Sequence, residues 1–372
     1  MASIQVEASV AASLLHEASE GEHHQDRSSG GRTSAEAAHL RMNKELKNFH
    51  PSLSSSMMMA SATTPTPPKK VCIVNVEPRR QPLKGHAETI LSLRFSPDSF
   101  LLASGSDDRT VRTWDPVSGH MRNIYTGHLG GVRGLEFIGS GTILFSASKD
   151  KTIIEWDMIQ NQLRKTLPGH ANVVWAVCVN KDGTQVVSVS HDETIRWWDT
   201  MTGKELKVAK GHTSTIYAAA VSSDGTLLAT GCADKTVRIW DMVSGECVKV
   251  LTGHSSHVTC VAWIPGTNNR LMSGSWDETM KLWDVAAGTP VFTFTGHNAK
   301  VNCLCVTPDG DCIVTGGEDK TVKVWRISTL ECFKTFIEHK EEVTAVACSP
   351  DGKFIASASM DCMIKIYKVT SV

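Results

Sequence analysis

A Gly-His pair recurs along this chain at Gly85-His86, Gly127-His128, Gly169-His170, Gly211-His212, Gly253-His254 and Gly296-His297, with a degenerate seventh copy at Glu338-His339. Successive histidines lie 42, 42, 42, 42, 43 and 42 residues apart. An aromatic landmark follows each His after 28 residues, or 29 in the fifth copy. The landmarks are Trp114-Asp115, Trp156-Asp157, Trp198-Asp199, Trp240-Asp241, Trp283-Asp284, Trp325-Arg326 and Tyr367-Lys368. Length alone would suggest two or three ordinary domains for 372 residues. A fixed internal period overrides that prior, because each unit buries its apolar face only against its neighbours.

Each unit carries three strand-like runs between the His and the aromatic residue. In the first they are Ile90 to Phe95, Phe100 to Ser104 and Val111 to Trp114. Turn chemistry separates the first two runs, as in Ser96-Pro97-Asp98, Lys181-Asp182-Gly183, Ser223-Asp224-Gly225, Pro308-Asp309-Gly310 and Pro350-Asp351-Gly352. A fourth, outer strand is expected where Glu246 to Leu251 stands. The extra residue of the fifth unit is expected in the loop Pro265 to Arg270. Period and end signals together give an all-β fold, a seven-bladed β-propeller of four-stranded antiparallel blades.

Two further residues keep their place in every unit. An Asp stands six residues before each aromatic landmark, and a hydroxyl four residues before that Asp. The seven quartets are His86, Ser104, Asp108, Trp114; His128, Ser146, Asp150, Trp156; His170, Ser188, Asp192, Trp198; His212, Thr230, Asp234, Trp240; His254, Ser273, Asp277, Trp283; His297, Thr315, Asp319, Trp325; and His339, Ser357, Asp361, Tyr367. A Ser-His-Asp set suggests nucleophilic catalysis, but a nucleophile is needed once, in a pocket with an oxyanion hole. Recurrence at one period marks architecture. Beyond these quartets there is no Gly-rich phosphate loop, and the 11 cysteines have no C-x-x-C spacing. They read as free, buried thiols of a reducing compartment, and neither a metal nor a cofactor is expected.

The pattern resembles the WD-repeat family over residues 71 to 372 and in all seven units. The resemblance implies that each quartet forms a buried hydrogen-bond chain joining the inner strands. It also implies ring closure by an N-terminal strand, here residues of about 76 to 84, which completes the seventh blade as its outermost strand. Pro78 and Pro82 are tolerable only at such an edge. The seventh unit departs most: Glu338 replaces Gly, Tyr367-Lys368 replaces Trp-Asp, and Cys362-Met363 stands where other units end in Thr. It is expected to be the softest blade.

In that family, partners often contact two positions on the narrow face. The first set here is Leu91, Arg133, Trp175, Tyr217, Thr259, Asn302 and Thr344; the second is Asp107, Lys149, His191, Ala233, Trp276, Glu318 and Met360. Arg133, Lys149, Trp175, His191, Tyr217 and Trp276 concentrate the residue types enriched at interface hot spots. They suggest a face receiving an acidic or mixed apolar peptide, so the expected function is a noncatalytic scaffold or adaptor in a multiprotein complex. Three rival readings are a ubiquitin-ligase substrate receptor, a chromatin histone-tail reader and a G-protein β-like subunit. The first wants Arg two residues after Trp-Asp, where Val117, Ile159, Met201 and Val243 stand. The third wants N-terminal heptads, which are missing from residues 1 to 70.

Those first 70 residues, rich in Ser, Ala, Glu and His and ending in Pro-rich sequence, read as a disordered tail, with a short helix conceivable near Ala35 to Lys47. The start lacks a basic n-region and carries Glu7 and Glu17, unlike a signal peptide. No apolar run approaches the ~20 residues of a membrane span. A formal net charge of -1 gives no basic field for nucleic acid. An intracellular protein, cytoplasmic or nuclear, is expected.

Overall fold

The computed structural model describes residues 73–79, 81–139 and 141–371. The expected tail over residues 1 to 70 lies outside them. The described residues form seven antiparallel sheets in a ring. The first blade is built of Ile90–Phe95, Leu102–Ser106, Thr110–Trp114 and Met121–Thr126, in that order from axis to rim. The innermost strand packs on that of the next blade, Val132–Ile138, and so on round to Val343–Cys348, which returns to Ile90–Phe95. The extra residue of the fifth unit lies in the loop between Val258–Trp263 and Arg270–Ser275, as its turn composition indicated.

Alternation sets the layers. In the second strands nearly every side chain is buried, because both faces meet a neighbouring blade. The outer strands expose most of theirs, as in Met121–Thr126 and Glu205–Lys210. This corrects the reading of the cysteines as uniformly buried: Cys247 and Cys332 are exposed because they stand on outer strands, Cys247–Leu251 and Glu331–Phe336.

Closure is made by two short strands, Ile73–Pro78 and Leu83–Lys84, both paired with Met363–Ser371 of the seventh blade. The latch begins at Ile73, upstream of the expected residue 76, and it is interrupted. Pro78 and Pro82 supply no N–H for the ladder, and the Arg79 N–H donates to Ile366 O at 2.7 Å in the gap. The Arg79 side chain also donates to Ser118 O at 2.5 Å, tying the latch to the first blade. Val76 is buried with Tyr367 and Val369, and Leu83 with Trp114 and Ile364.

Each quartet forms one chain of hydrogen bonds. His Nδ1 lies 2.7–2.9 Å from the Asp carboxylate in all seven blades. His Nε2 lies 2.7–2.8 Å from the Ser or Thr hydroxyl. The six indole N–H groups donate to the same hydroxyls at 2.7–2.8 Å. A neutral imidazole satisfies every atom: indole N–H to hydroxyl oxygen, hydroxyl O–H to Nε2, Nδ1–H to carboxylate. Burial drives the pKa of His86 and His212 down against the pull of Asp108 and Asp234, which keeps these rings neutral.

The seventh blade shows why its sequence departs. In the other units a Cβ on the Gly before His would meet the far edge of the indole, at 2.9 Å for Gly85 and Trp114 and 3.0 Å for Gly211 and Trp240. Tyr is shorter, and Glu338 takes the room, with Lys365 Nζ 3.6 Å from its carboxylate. The Tyr367–Ser357 bond is longer, at 3.2 Å. Met363 replaces the Thr whose hydroxyl elsewhere donates to the quartet Asp, as Thr110 does at 2.6 Å. This blade therefore has fewer polar ties, and the latch strands cover it.

Three outcomes are expected. Removing residues 1 to 70 leaves a cooperative melt, whereas removing 1 to 84 abolishes it, as read by circular dichroism. Tyr367→Trp lowers stability by roughly 1–3 kcal/mol through overpacking against Glu338, and adding Glu338→Gly recovers most of the loss in a double-mutant cycle. Acid destabilises the fold in two stages. His86 and His212 have folded pKa values below the unfolded one, so their contribution is complete above about pH 6.5 and fades below it. Burial alone would raise Asp108, but hydrogen bonds from Thr110 and His86 hold it at about 2, so its contribution is lost between about pH 4 and that value. Urea midpoints measured from pH 8 to 3 that rise on acidification would contradict this assignment.

Candidate functional site

The inner strands present their second residues to one mouth of the central channel, a cavity of about 430 Å³ lined by Arg133, Trp175, Tyr217 and Trp276 among others. The fifth residue after each Gly-His histidine points here, and its partners divide the ring. In the fifth, sixth and seventh blades it is tied to the next blade's inner strand. Thr259 Oγ1 donates to Val301 O at 2.7 Å, Asn302 Nδ2 to Val343 O at 3.2 Å, and Thr344 Oγ1 to Ile90 O. In the second, third and fourth blades the same position holds Arg133, Trp175 and Tyr217.

These three side chains meet one another. The Arg133 guanidinium lies over the Trp175 ring at 4.0 Å. Trp175 packs edge-on against Tyr217 at 4.7 Å between centroids, and Tyr217 lies 5.9 Å from Trp276. His257, which the reading of two positions per repeat missed, stacks on Trp276 at 4.5 Å and on Tyr217 at 5.9 Å. Lys300, also missed, sits over Trp276 at 5.2 Å and pairs with Glu318 at 3.2 Å. Both stand three residues after their Gly-His histidine, just before the inner strand; a third variable position per repeat was the signal that would have found them.

The remaining candidates lie on the rim. Lys149 Nζ pairs with Asp107 of the preceding blade at 2.5 Å. His191 Nδ1 is 3.1 Å from Thr215 Oγ1 of the following blade, and its side chain is exposed. Arg133 differs from both lysines: among the described residues it has no ion-pair or hydrogen-bond partner, and its Nε is buried. Trp175 Nε1 and His257 Nδ1 are likewise buried and unsatisfied. Buried polar atoms are usually paired, so the idle groups of Arg133 and Trp175, which both line the mouth, are available to a ligand. Burial lowers the Arg133 pKa, against the nearby Asp107 charge.

Among the described residues one His-Cys-Asp grouping has metal-like proximity: His212, Cys232 and Asp234, with ligand atoms within 4.8 Å. Its donors are already committed. His212 and Asp234 belong to a quartet, while Cys232 Sγ donates to Ser214 O at 3.3 Å and accepts from Asp234 N at 3.3 Å. Ser106 makes the same two bonds in the first blade, so Cys232 acts as a serine substitute. No helix among the described residues is long and apolar enough to cross a membrane.

Comparison with known proteins matches this geometry. The family model "WD domain, G-beta repeat" matches residues 77–115, 119–157, 161–199, 203–241, 245–284, 288–326 and 330–368. Each matched stretch ends at the third strand of a blade, at the aromatic landmark pair. Short segments resemble curated proteins. Protein Notchless of Drosophila melanogaster is 64% identical over 33 residues, 9% of this chain and 7% of that protein. Protein Mut11 of Chlamydomonas reinhardtii is 54% identical over 37 residues, 10% of each chain. Transcriptional repressor tup12 of Schizosaccharomyces pombe is 40% identical over 57 residues, 13% of this chain and 10% of that protein. The chain spans a tenth or less of the length of each relative. With seven matched repeats folded into seven blades, the chain belongs to the WD40 repeat family.

Proposed function

We propose that this protein is a noncatalytic scaffold that assembles a multiprotein complex by receiving a peptide segment of a partner at the channel mouth. Members of its family are interaction modules, and the quartets that resemble catalytic triads are committed to hydrogen bonds inside the blades. The observation that carries the proposal is Arg133. Its guanidinium is fixed on Trp175 and unpaired among the described residues, beside Tyr217 and Trp276. A fixed arginine on an aromatic platform is a hot-spot arrangement for a carboxylate with an apolar neighbour.

A histone-tail reader would clamp a cationic side chain between aromatic faces. Here Arg133 covers Trp175, Lys300 covers Trp276 and His257 stacks on Trp276 beside Tyr217. An incoming cation would have to displace them, so the geometry favours an anionic partner over that reading. Two relatives are named transcriptional repressors, one being rco-1 of Neurospora crassa at 43% identity over 44 residues. Those names support placing this chain in an intracellular complex, cytoplasmic or nuclear.

The test is a library of peptides with Glu or Asp beside Leu or Phe, read by fluorescence anisotropy. Arg133→Ala, and separately Trp175→Ala with Tyr217→Ala, should weaken the best binder by roughly 30-fold or more, the scale of a ~2 kcal/mol hot spot. The melting temperature should change little. Unchanged binding in both variants, or preference for Lys- and Arg-rich peptides, would remove the mouth from the account.

A further inference from the structure

The inner strands run from the mouth to a second cavity of about 560 Å³ at the other end of the channel, lined by Arg94, Glu136, Cys178, Cys305 and Cys348 among others. Arg94 Nε and Nη2 donate to Glu136 Oε1 at 3.0 and 2.7 Å across two blades. Cys305 of the sixth blade and Cys348 of the seventh bring their sulfurs to 3.0 Å on adjacent inner strands. Both are half-buried, and both line the cavity. Their repeat positions differ: Cys305 is eight residues after His297, and Cys348 nine after His339. Neither the quartets nor the mouth uses this pair.

We propose that Cys305 and Cys348 are a site of oxidative modification, a dithiol that closes to a disulfide with a peroxide as oxidant and staples the sixth blade to the seventh. The chemistry balances in two steps. The Cys305 sulfur attacks one peroxide oxygen, the O–O bond breaks, and the first water leaves as Cys305 becomes a sulfenic acid. The Cys348 sulfur then displaces the sulfenic hydroxyl, its proton leaves with the second water, and the S–S bond forms. Two thiols are oxidised by two electrons and one peroxide is reduced to two waters.

The order of attack follows from the surroundings. The contact with Cys305, together with burial, pushes the Cys348 thiol well above its usual range, which disfavours Cys348 as the first attacking sulfur. Cys305 faces the lumen near the Arg94 cation. Sulfurs at 3.0 Å need to approach by only about 1 Å to reach bonding distance. The staple would close a loop of 43 residues at the blade whose quartet has the longer Tyr367–Ser357 bond and lacks the Thr–Asp bond.

The experiment treats the full-length protein with hydrogen peroxide, alkylates remaining thiols and maps peptides without reduction. The expected product joins the Cys305 and Cys348 peptides and is lighter by two hydrogens than their sum. It disappears in Cys305→Ser and in Cys348→Ser, and dithiothreitol reverses it. The oxidised protein should melt roughly 5 °C higher than the reduced one, a gain missing from both variants. Separate sulfinic acids on the two residues, or linkage of Cys305 to Cys178, would overturn the proposal. So would a pair that stays reduced when exposed Cys247 and Cys332 are fully oxidised.

Discussion

The hydroxyl at the centre of each quartet is the atom on which the ring depends. In six blades it accepts from an indole N–H, in the seventh it bonds the Tyr367 hydroxyl, and in all it lies within bonding distance of an imidazole, so the second strand is tied both to the third strand and to the loop that enters the blade. Carboxylate oxygens then cap that loop: Asp108 accepts the Nδ1–H of His86 and the backbone N–H of Ala87. Such a chain nets only about 0.5–1.5 kcal/mol per bond, but each orphaned buried member would cost about 1–3 kcal/mol. The quartets therefore act mainly as specifiers of register, while the indoles supply apolar mass, about 200 Å² each.

With every blade fixed in this way, what varies is how the inner strands treat the channel. Three consecutive blades use Thr259, Asn302 and Thr344 to bind the next strand's carbonyl oxygen. Three others place Arg133, Trp175 and Tyr217 at the same position and leave Arg133 Nε and Trp175 Nε1 unsatisfied. Three blades of the mouth thus form a seam and three a display, with Leu91 of the first blade between the two runs. A rigid scaffold lowers the ordering cost of presenting such groups, which is the physical basis for reading the displayed half as a binding surface.

Much of this was legible in the sequence because the period fixes equivalence between repeats. The landmark spacing placed all seven blades, the loop at Pro265 and the odd chemistry of Tyr367. What escaped was chemistry between non-equivalent positions. The latch begins at Ile73 rather than 76, since a strand broken by Pro78 and Pro82 has no periodic signature. The seam residues bond to carbonyl groups of the next repeat, and a carbonyl leaves no mark in side-chain sequence. Cys305 and Cys348 occupy different repeat positions, so no alignment of repeats pairs them. His257 and Lys300 lie on a third variable position that two lists could not include.

The central claim is that quartet indoles are locked inside the ring while the mouth indoles are free to act. Hydrogen exchange of the indole N–H groups, followed by NMR in deuterated water, separates the two populations directly. The six N–H groups of Trp114, Trp156, Trp198, Trp240, Trp283 and Trp325 should exchange only through global unfolding, with one shared dependence on denaturant. Those of Trp175 and Trp276 should exchange far faster by local opening. Quartet indoles that exchange as fast as Trp175, each with its own dependence on denaturant, would contradict the account.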